Sequence, residues 1–278
     1  MIEKKILKII KIALSEDIGI GDITTQATVD GKKKGRALAI AKDDFIIAGM
    51  DVFAETFRFL DKNIKVKKII SDGCRAKKGD VIAKVSGSLS SILKAERVSL
   101  NLFQRMCGIA TLTAKYVRAV QGTRVKILDT RKTAPGLRIL DKMAVRIGGG
   151  CNHRIGLYDG VLIKDNHIEA AGGITSAVKA QRENLTRSMK IEVETRNIKE
   201  VKEALNCGVD IIMLDNMSVP VMKKAVDFVA GRALLEASGN VSLQNVADIA
   251  AVGVDFISVG KLTHSVRAAD ISLKIKVC

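Results

Sequence analysis

The chain has 278 residues, 47% of them hydrophobic and 27% charged, with a formal net charge of +16. That length and composition suit one large domain beside a smaller one and exclude a disordered chain. The absence of any run of about 18 uncharged apolar residues excludes a membrane-spanning helix, and five scattered cysteines with no C-x-x-C spacing argue against a disulfide framework or a zinc site. They read as reduced thiols, mostly buried. The N-terminal MIEKKILKIIKIALSEDIG mixes charge and apolar residues as an amphipathic helix, not a cleavable signal, so a cytoplasmic protein is expected. Strand-like runs at 34–41, 64–71 and 80–85, separated by turns at Asp72-Gly73 and Lys78-Gly79-Asp80, predict an α+β domain. A helical period over 95–119, with Leu100, Phe103, Cys107 and Ala110 on one face, leads out of it. Six apolar runs follow, at 125–128, 160–163, 191–193, 211–214, 233–235 and 256–259, each before a helix-like segment. Repeated βα units predict a parallel sheet, most economically an open, incomplete α/β barrel. The alternating 271–277 segment reads as an edge strand returning to the first domain. The expected division is 1–105 for the N-terminal α/β sandwich, 106–265 for the barrel and 266–278 for the returning strand.

A charge of +16 raises the possibility of nucleic-acid binding. The lysine clusters at 32–34, 65–68 and 77–78 are short, however, and aromatic residues make up 3%, which leaves no stacking platform. A solvated lysine surface that draws in anionic metabolites is the better reading. A basic module binding duplexes in a salt-dependent way is the alternative, with neither nucleic acid nor membrane expected as partner.

The ends of the six strands carry the chemistry. They are Asp129-Thr130-Arg131-Lys132, Lys164-Asp165-Asn166, Glu194, Asp215-Asn216, Glu236 with Ser238-Gly239-Asn240, and Ser258 with Gly260-Lys261. In a parallel α/β barrel all strand C-termini open on one face, where active sites are built. Ser238-Gly239-Asn240 and Ser258-Val259-Gly260 lead into helices, whose N-termini would cradle a phosphate. Glu194 and Asp215, with no Cys or His donor nearby, suit a hydrated Mg²⁺ shared with substrate oxygens. Arg131, His153, Arg154 and Lys164 then remain for a second, compact anion such as a dicarboxylate. Taken singly, each of these cations is more often a solvated strand end; their convergence is what argues for a site. Gly148 to Gly150 read as a helix stop, Cys151 as a small packing residue, and His167 as a packing residue or as a support behind a site side chain. Glu236 fits either a third site carboxylate or a lysine partner, and Arg196 could add a cation for substrate.

The ordered motifs EDIGIGDITT, ERVSLN, DTRKTAPGLR, GGGCNHR, GLYDGVLIKDNHI, EVE, IIMLDN, EASGN, ISVG and DISLKI together resemble the quinolinate phosphoribosyltransferase family. The resemblance covers nearly the whole chain and implies an enzyme transferring phosphoribosyl from phosphoribosyl pyrophosphate (PRPP) to quinolinate with decarboxylation. The products would be nicotinate mononucleotide, pyrophosphate and CO₂, in de novo NAD biosynthesis. It further implies quinolinate contacts at Arg97, supplied across a homodimer interface, and at Arg131, His153, Arg154 and Lys164. PRPP contacts are implied at Lys132, Glu194, Asp215, Ser238, Gly239, Asn240, Ser258 and Gly260, and Thr130 is a further substrate-binding residue. Lys132, Glu194 and Asp215 carry the catalytic role in this reading, with Mg²⁺ at Glu194 and Asp215 and no organic cofactor. A related transferase acting on nicotinate is the alternative enzyme, although four cations exceed what a monocarboxylate needs.

Overall fold

The computed structural model describes residues 3–185 and 189–277. Met1, Ile2 and Cys278, which the sequence reading placed in the amphipathic helix and among the reduced thiols, lie outside the described residues. In chain order the elements are α1 (Lys4–Ile18), α2 (Ile23–Thr28), β1 (Lys34–Ala41), β2 (Phe45–Ile46), α3 (Met50–Leu60), β3 (Lys65–Lys68), β4 (Arg75–Ala76), β5 (Val81–Ser88) and α4 (Leu89–Ala119). The βα series follows: β6 (Lys126–Leu128), α5 (Arg138–Ile147), β7 (Val161–Ile163), α6 (Asp165–Ala171), α7 (Ile174–Asn184), β8 (Ile191–Thr195), α8 (Ile198–Asn206) and β9 (Ile211–Asp215). The chain closes with α9 (Val219–Val229), β10 (Leu234–Ser238), α10 (Val246–Ala251), β11 (Phe256–Ser258), α11 (Lys261–His264) and β12 (Ile271–Val277).

Two compact units result: residues 1–114, 133–149 and 262–278 form one, and residues 115–132 and 150–261 the other. This partition differs from the expected boundaries at 105/106 and 265/266. The first boundary falls inside α4, and the α5 excursion belongs with the N-terminal unit. Within that unit the reason is a buried ion pair: Arg105 on α4 clasps Asp141 on α5 through Nε–Oδ1 and Nη2–Oδ2 contacts of 2.8 Å each.

The first unit contains an antiparallel sheet in the order β12-β1-β5-β3, so the C-terminal strand lies at an edge and pairs with β1 from Gly35–Val277 to Ala41–Ile271. Its core packs Phe53, Phe57, Ile82, Ile92 and Phe103, with Leu100 and Cys107 of α4 among them. The tail is held on α4 by Gln104, which donates to the Ile271 carbonyl and accepts from the Ala269 amide through its own carbonyl, both at 3.0 Å. Gly108 permits this close approach, because a Cβ there would sit 2.2 Å from the Arg267 carbonyl oxygen. The strand expected over 64–71 is shorter than that. Ile69 and Ile70 both aim their N–H groups at the Ile82 carbonyl, and the ladder ends.

The second unit is built on a six-stranded parallel sheet, β6-β11-β10-β9-β8-β7. Its register sets Glu194 and Glu236 opposite Met213, Ser238 opposite Asp215, and Ser258 opposite Leu128. Strand alternation then gives one face to Glu192, Glu194, Asp215, Glu236, Ser238 and Ser258. Val193, Ile212, Leu214, Leu235, Ala237 and Ile257 occupy the other face and are buried. Among the described residues no helix is long and apolar enough to cross a membrane.

Candidate active site

Two basic motifs twenty residues apart in sequence are laid side by side. Cys151 forms a parallel bridge to Leu128; its N–H donates to the Ile127 carbonyl at 2.8 Å and its carbonyl accepts from the Asp129 N–H at 3.2 Å. The fully buried Asp129 carboxylate accepts from the His153 backbone N–H at 2.9 Å and from the Asn152 amide, which locks the Asn152-His153-Arg154 segment beside Thr130-Arg131-Lys132. Thr130 Oγ1 accepts from the Lys132 N–H at 3.1 Å, Arg131 is half-buried and Lys132 exposed. Arg154 is braced by a 3.0 Å bond from Nη1 to the Gly160 carbonyl, and Asp159 closes that loop by accepting from the Ile155 and Gly156 N–H groups, both at 2.7 Å. Burial, and next the Arg131 cation, push the Arg154 guanidinium below its ordinary range, while Glu192 and Asp159 oppose them. Two half-buried guanidiniums on adjacent segments are suited to an anion.

The remaining strand ends line the same mouth. Lys164 follows β7, and its Nζ reaches Glu194 Oε2 at 3.1 Å. His167 fixes this lysine's backbone by accepting the Lys164 N–H on Nδ1 at 3.0 Å at the start of α6. Asp215 ends β9 and accepts from the Asn216 side chain at 2.8 Å; Asn216 in turn accepts from Asn240 Nδ2 at 3.0 Å. Asn216, Gly239 and Asn240 have φ of 54°, 87° and 49°. Here the expectation of a helix N-terminus needs correction for Ser238-Gly239-Asn240, while Ser258-Val259-Gly260 leads directly into α11 as expected. A loop of seven residues, 239–245, separates Ser238 from α10, and Ser258-Val259-Gly260 precedes the four-residue α11. The polar backbone at this edge belongs to left-handed loop residues, which can turn consecutive N–H groups toward an anion. Gly239 cannot be replaced quietly, since a Cβ would lie 2.2 Å from Asn216 Oδ1. Gly239→Ala is expected to destabilise the chain by about 1–3 kcal/mol, through strain at positive φ and displacement of Asn216; urea unfolding of the variant beside the parent chain checks this.

Below the mouth lies a buried polar group. His153 Nδ1 accepts the Arg154 N–H at 2.8 Å, while Nε2 lies 3.0 Å from Glu192 Oε2 and 3.7 Å from Glu236 Oε2. Glu236, 1% exposed, is pushed up to about 8 by burial and then by the Glu192 charge. Its partners are thus a histidine, a second carboxyl and the Ser258 hydroxyl; a lysine, one of the two expected alternatives, is not among these. A carboxyl raised above its unfolded value of 4.5 binds its proton in the folded state, so folding is favoured below pH 4.5 and progressively disfavoured as pH rises toward 8. Glu236→Gln is expected to flatten this dependence. Urea unfolding at pH 5 and pH 8 should show the variant losing less stability between the two than the parent chain.

Comparison with known proteins decides the family. The model for the quinolinate phosphoribosyl transferase N-terminal domain matches residues 22–107, and that for its C-terminal domain matches residues 109–274. The chain belongs to the quinolinate phosphoribosyltransferase family. It is 49% identical over 286 residues to the chloroplastic nicotinate-nucleotide pyrophosphorylase of Arabidopsis thaliana, covering 96% of this chain and 82% of that one. It is 44% identical over 260 residues to the probable nicotinate-nucleotide pyrophosphorylase of Bacillus subtilis, covering 94% and 90%. The crystal structure of NadC from Streptococcus pyogenes superposes with a TM-score of 0.95 at 38% identity, covering 100% of this chain and 99% of the other.

Within the quinolinate phosphoribosyltransferase frame, all the expected site residues but one fall in the part matched by the C-terminal domain. Arg97 is the exception: it is exposed on α4 in the N-terminal unit. Arg196 is tied to Glu200, which accepts its N–H at 2.8 Å. Cys151 is a half-buried bridge residue that takes part through its backbone. Of the four described cysteines one, Cys107, is buried, and Cys74 is exposed, so the thiols are less buried than expected. Short connections explain this, because three of them stand at turns or strand edges, not in helix cores. Gly148 caps α5 by donating to the Ala144 carbonyl, the expected helix stop. Sequence reasoning named Asp129 and Asn216 only as strand ends and Glu192 only within the EVE motif, and gave none of the three a role. The period-two spacing of Glu192 and Glu194 was the available signal for one of them.

Proposed function

We propose that the chain transfers the phosphoribosyl group of PRPP to quinolinate with loss of CO₂, forming nicotinate mononucleotide and pyrophosphate in de novo NAD biosynthesis. The observation that carries this reading is the docking of Asn152-His153-Arg154 beside Thr130-Arg131-Lys132 by Asp129, which sets two guanidiniums on adjacent segments, with Lys164 at the end of β7. Three cations around one pocket match a dicarboxylate. The polar edge at Asp215-Asn216 and Ser238-Gly239-Asn240, with Ser258 and Gly260, receives PRPP, and Thr130 and Lys132 extend it.

Glu194 and Asp215 are oxygen donors on the neighbouring strands β8 and β9, and they fit a hydrated Mg²⁺ that arrives with PRPP. When bound, such an ion neutralises charge on the diphosphate. Lys164 releases Glu194 as it turns toward the acceptor carboxylate, while Lys132 faces the charge growing on the departing pyrophosphate. The quinolinate nitrogen lone pair forms the bond to ribose C1 as the C1–O bond breaks and pyrophosphate leaves with that electron pair. The pyridinium then accepts the electrons of the C2–carboxylate bond, CO₂ departs, and C2 takes a proton from solvent. No protein nucleophile or organic cofactor enters.

The reading includes a homodimer with Arg97 supplied to the partner's site, in the cytoplasm. Mixing Arg97→Ala with Lys164→Ala subunits is expected to restore activity through hybrids with one intact site, and no recovery despite demonstrated subunit exchange would remove the shared site. The function itself is tested by incubating the protein with quinolinate, PRPP and Mg²⁺ and following nicotinate mononucleotide and CO₂ together. Equal yields are expected, with nicotinate inert as a parallel acceptor; turnover of nicotinate alone would overturn the assignment.

A further inference from the structure

The transfer chemistry makes no use of the buried carboxyls beneath the mouth, yet burying two of them on one sheet face is costly unless each is held by partners. We infer that Glu192 and Glu236 are positioning residues for the acceptor pocket: they hold the His153 ring in its Nε2–H form and, through it, fix the backbone that presents Arg154. The kinetic half of this inference rests on the quinolinate reading; the structural half does not.

The hydrogen-bond directions decide the ring form. Nδ1 faces a donor, the Arg154 N–H at 2.8 Å, so it carries no proton. The ring proton then sits on Nε2 and is given to Glu192 Oε2 at 3.0 Å, with Glu236 Oε2 next at 3.7 Å. With both nitrogens engaged inside the protein, His153 acts on an anion in the mouth through Arg154. The His153 backbone is itself pinned by Asp129 at 2.9 Å, so ring and main chain together set where the Arg154 side chain begins.

A metal reading of the same three residues fails on this geometry. Their donor atoms lie within 4.8 Å of one another, but a histidine bound to metal through Nε2 gives its Nδ1–H to an acceptor. Here Nδ1 meets a donor. The Glu192 charge is offset by Arg154, and Glu236 is held by His153 and the Ser258 hydroxyl.

Nitrogen-resolved NMR of ¹⁵N-histidine-labelled protein tests this directly, since the chain has three histidines and His167→Gln and His264→Gln assign the rest. His153 in the parent chain is expected as the neutral Nε2–H form at neutral pH; an Nδ1–H or doubly protonated ring would overturn the inference whatever the kinetics show. Glu192→Ala is expected to release the ring from that form and to raise the quinolinate KM about 10- to 100-fold, with the PRPP KM within about twofold. Glu236→Gln should keep the Nε2–H form and recover most of what Glu236→Ala loses. An unchanged quinolinate KM in folded Glu192→Ala would also overturn it. If Glu192→Ala does not fold, the parent spectrum and the Glu236 pair decide. If the parent chain does not turn over quinolinate, the function reading fails, and the ring form still decides the structural half.

Discussion

Arg131→Ala and Arg154→Ala are each expected to lower kcat/KM for quinolinate by roughly 100-fold, because each removes a charge-assisted contact to a carboxylate in a half-buried pocket. Part of the effect comes from what is left behind. The Arg154 charge offsets Glu192, so its removal leaves that carboxylate buried with less compensation, whereas removing Arg131 relieves a repulsion and leaves Arg154 intact. Arg154→Ala should therefore be the more damaging of the two, and the double variant should lose less than the product of the singles. Lysine is expected to rescue neither fully, since a point charge cannot reproduce the planar fork. Initial-rate kinetics with quinolinate and PRPP varied in turn checks this, and loss confined to the PRPP KM would contradict the placement of these arginines.

Asp141→Ala is the change with the largest expected effect on stability. Asp141 is fully buried and accepts both arms of Arg105 at 2.8 Å, and Oδ2 also receives the Ala134 N–H at 3.3 Å. Arg105 spends a further bond on the Thr263 carbonyl at 3.0 Å. Removing the carboxylate strands a largely buried guanidinium and should cost about 3–5 kcal/mol. The exposed Lys223–Asp227 pair on α9, at 2.8 Å, provides the control: Asp227→Ala should change stability by less than about 1 kcal/mol. Urea unfolding of the three proteins measures both, and equal losses would refute the distinction.

Much of this was legible in the sequence. The six apolar runs became six strands because a parallel sheet covered on one face by helices needs continuous apolar residues there. The strand-end residues became a mouth because parallel strands all terminate on the same side. β1 and β12 kept their expected limits because alternation is strict in a sheet with one wet face. Boundaries set by a single hydrogen bond were less visible, as at β3, where one carbonyl shared by Ile69 and Ile70 stops the ladder.

The sequence by itself determined the family, the two folding patterns and the charged residues available at the strand ends, since all of these depend on local periodicity and order along the chain. Tertiary structure alone decided that 133–149 joins the first unit, that Asp129 docks Asn152-His153-Arg154 beside Arg131, and that Glu192 and Glu236 meet under His153. Those outcomes depend on which side chains share a buried space, and charge pairing across 36 residues for Arg105 and Asp141, or 39 for His153 and Glu192, leaves no trace in the spacing of either partner.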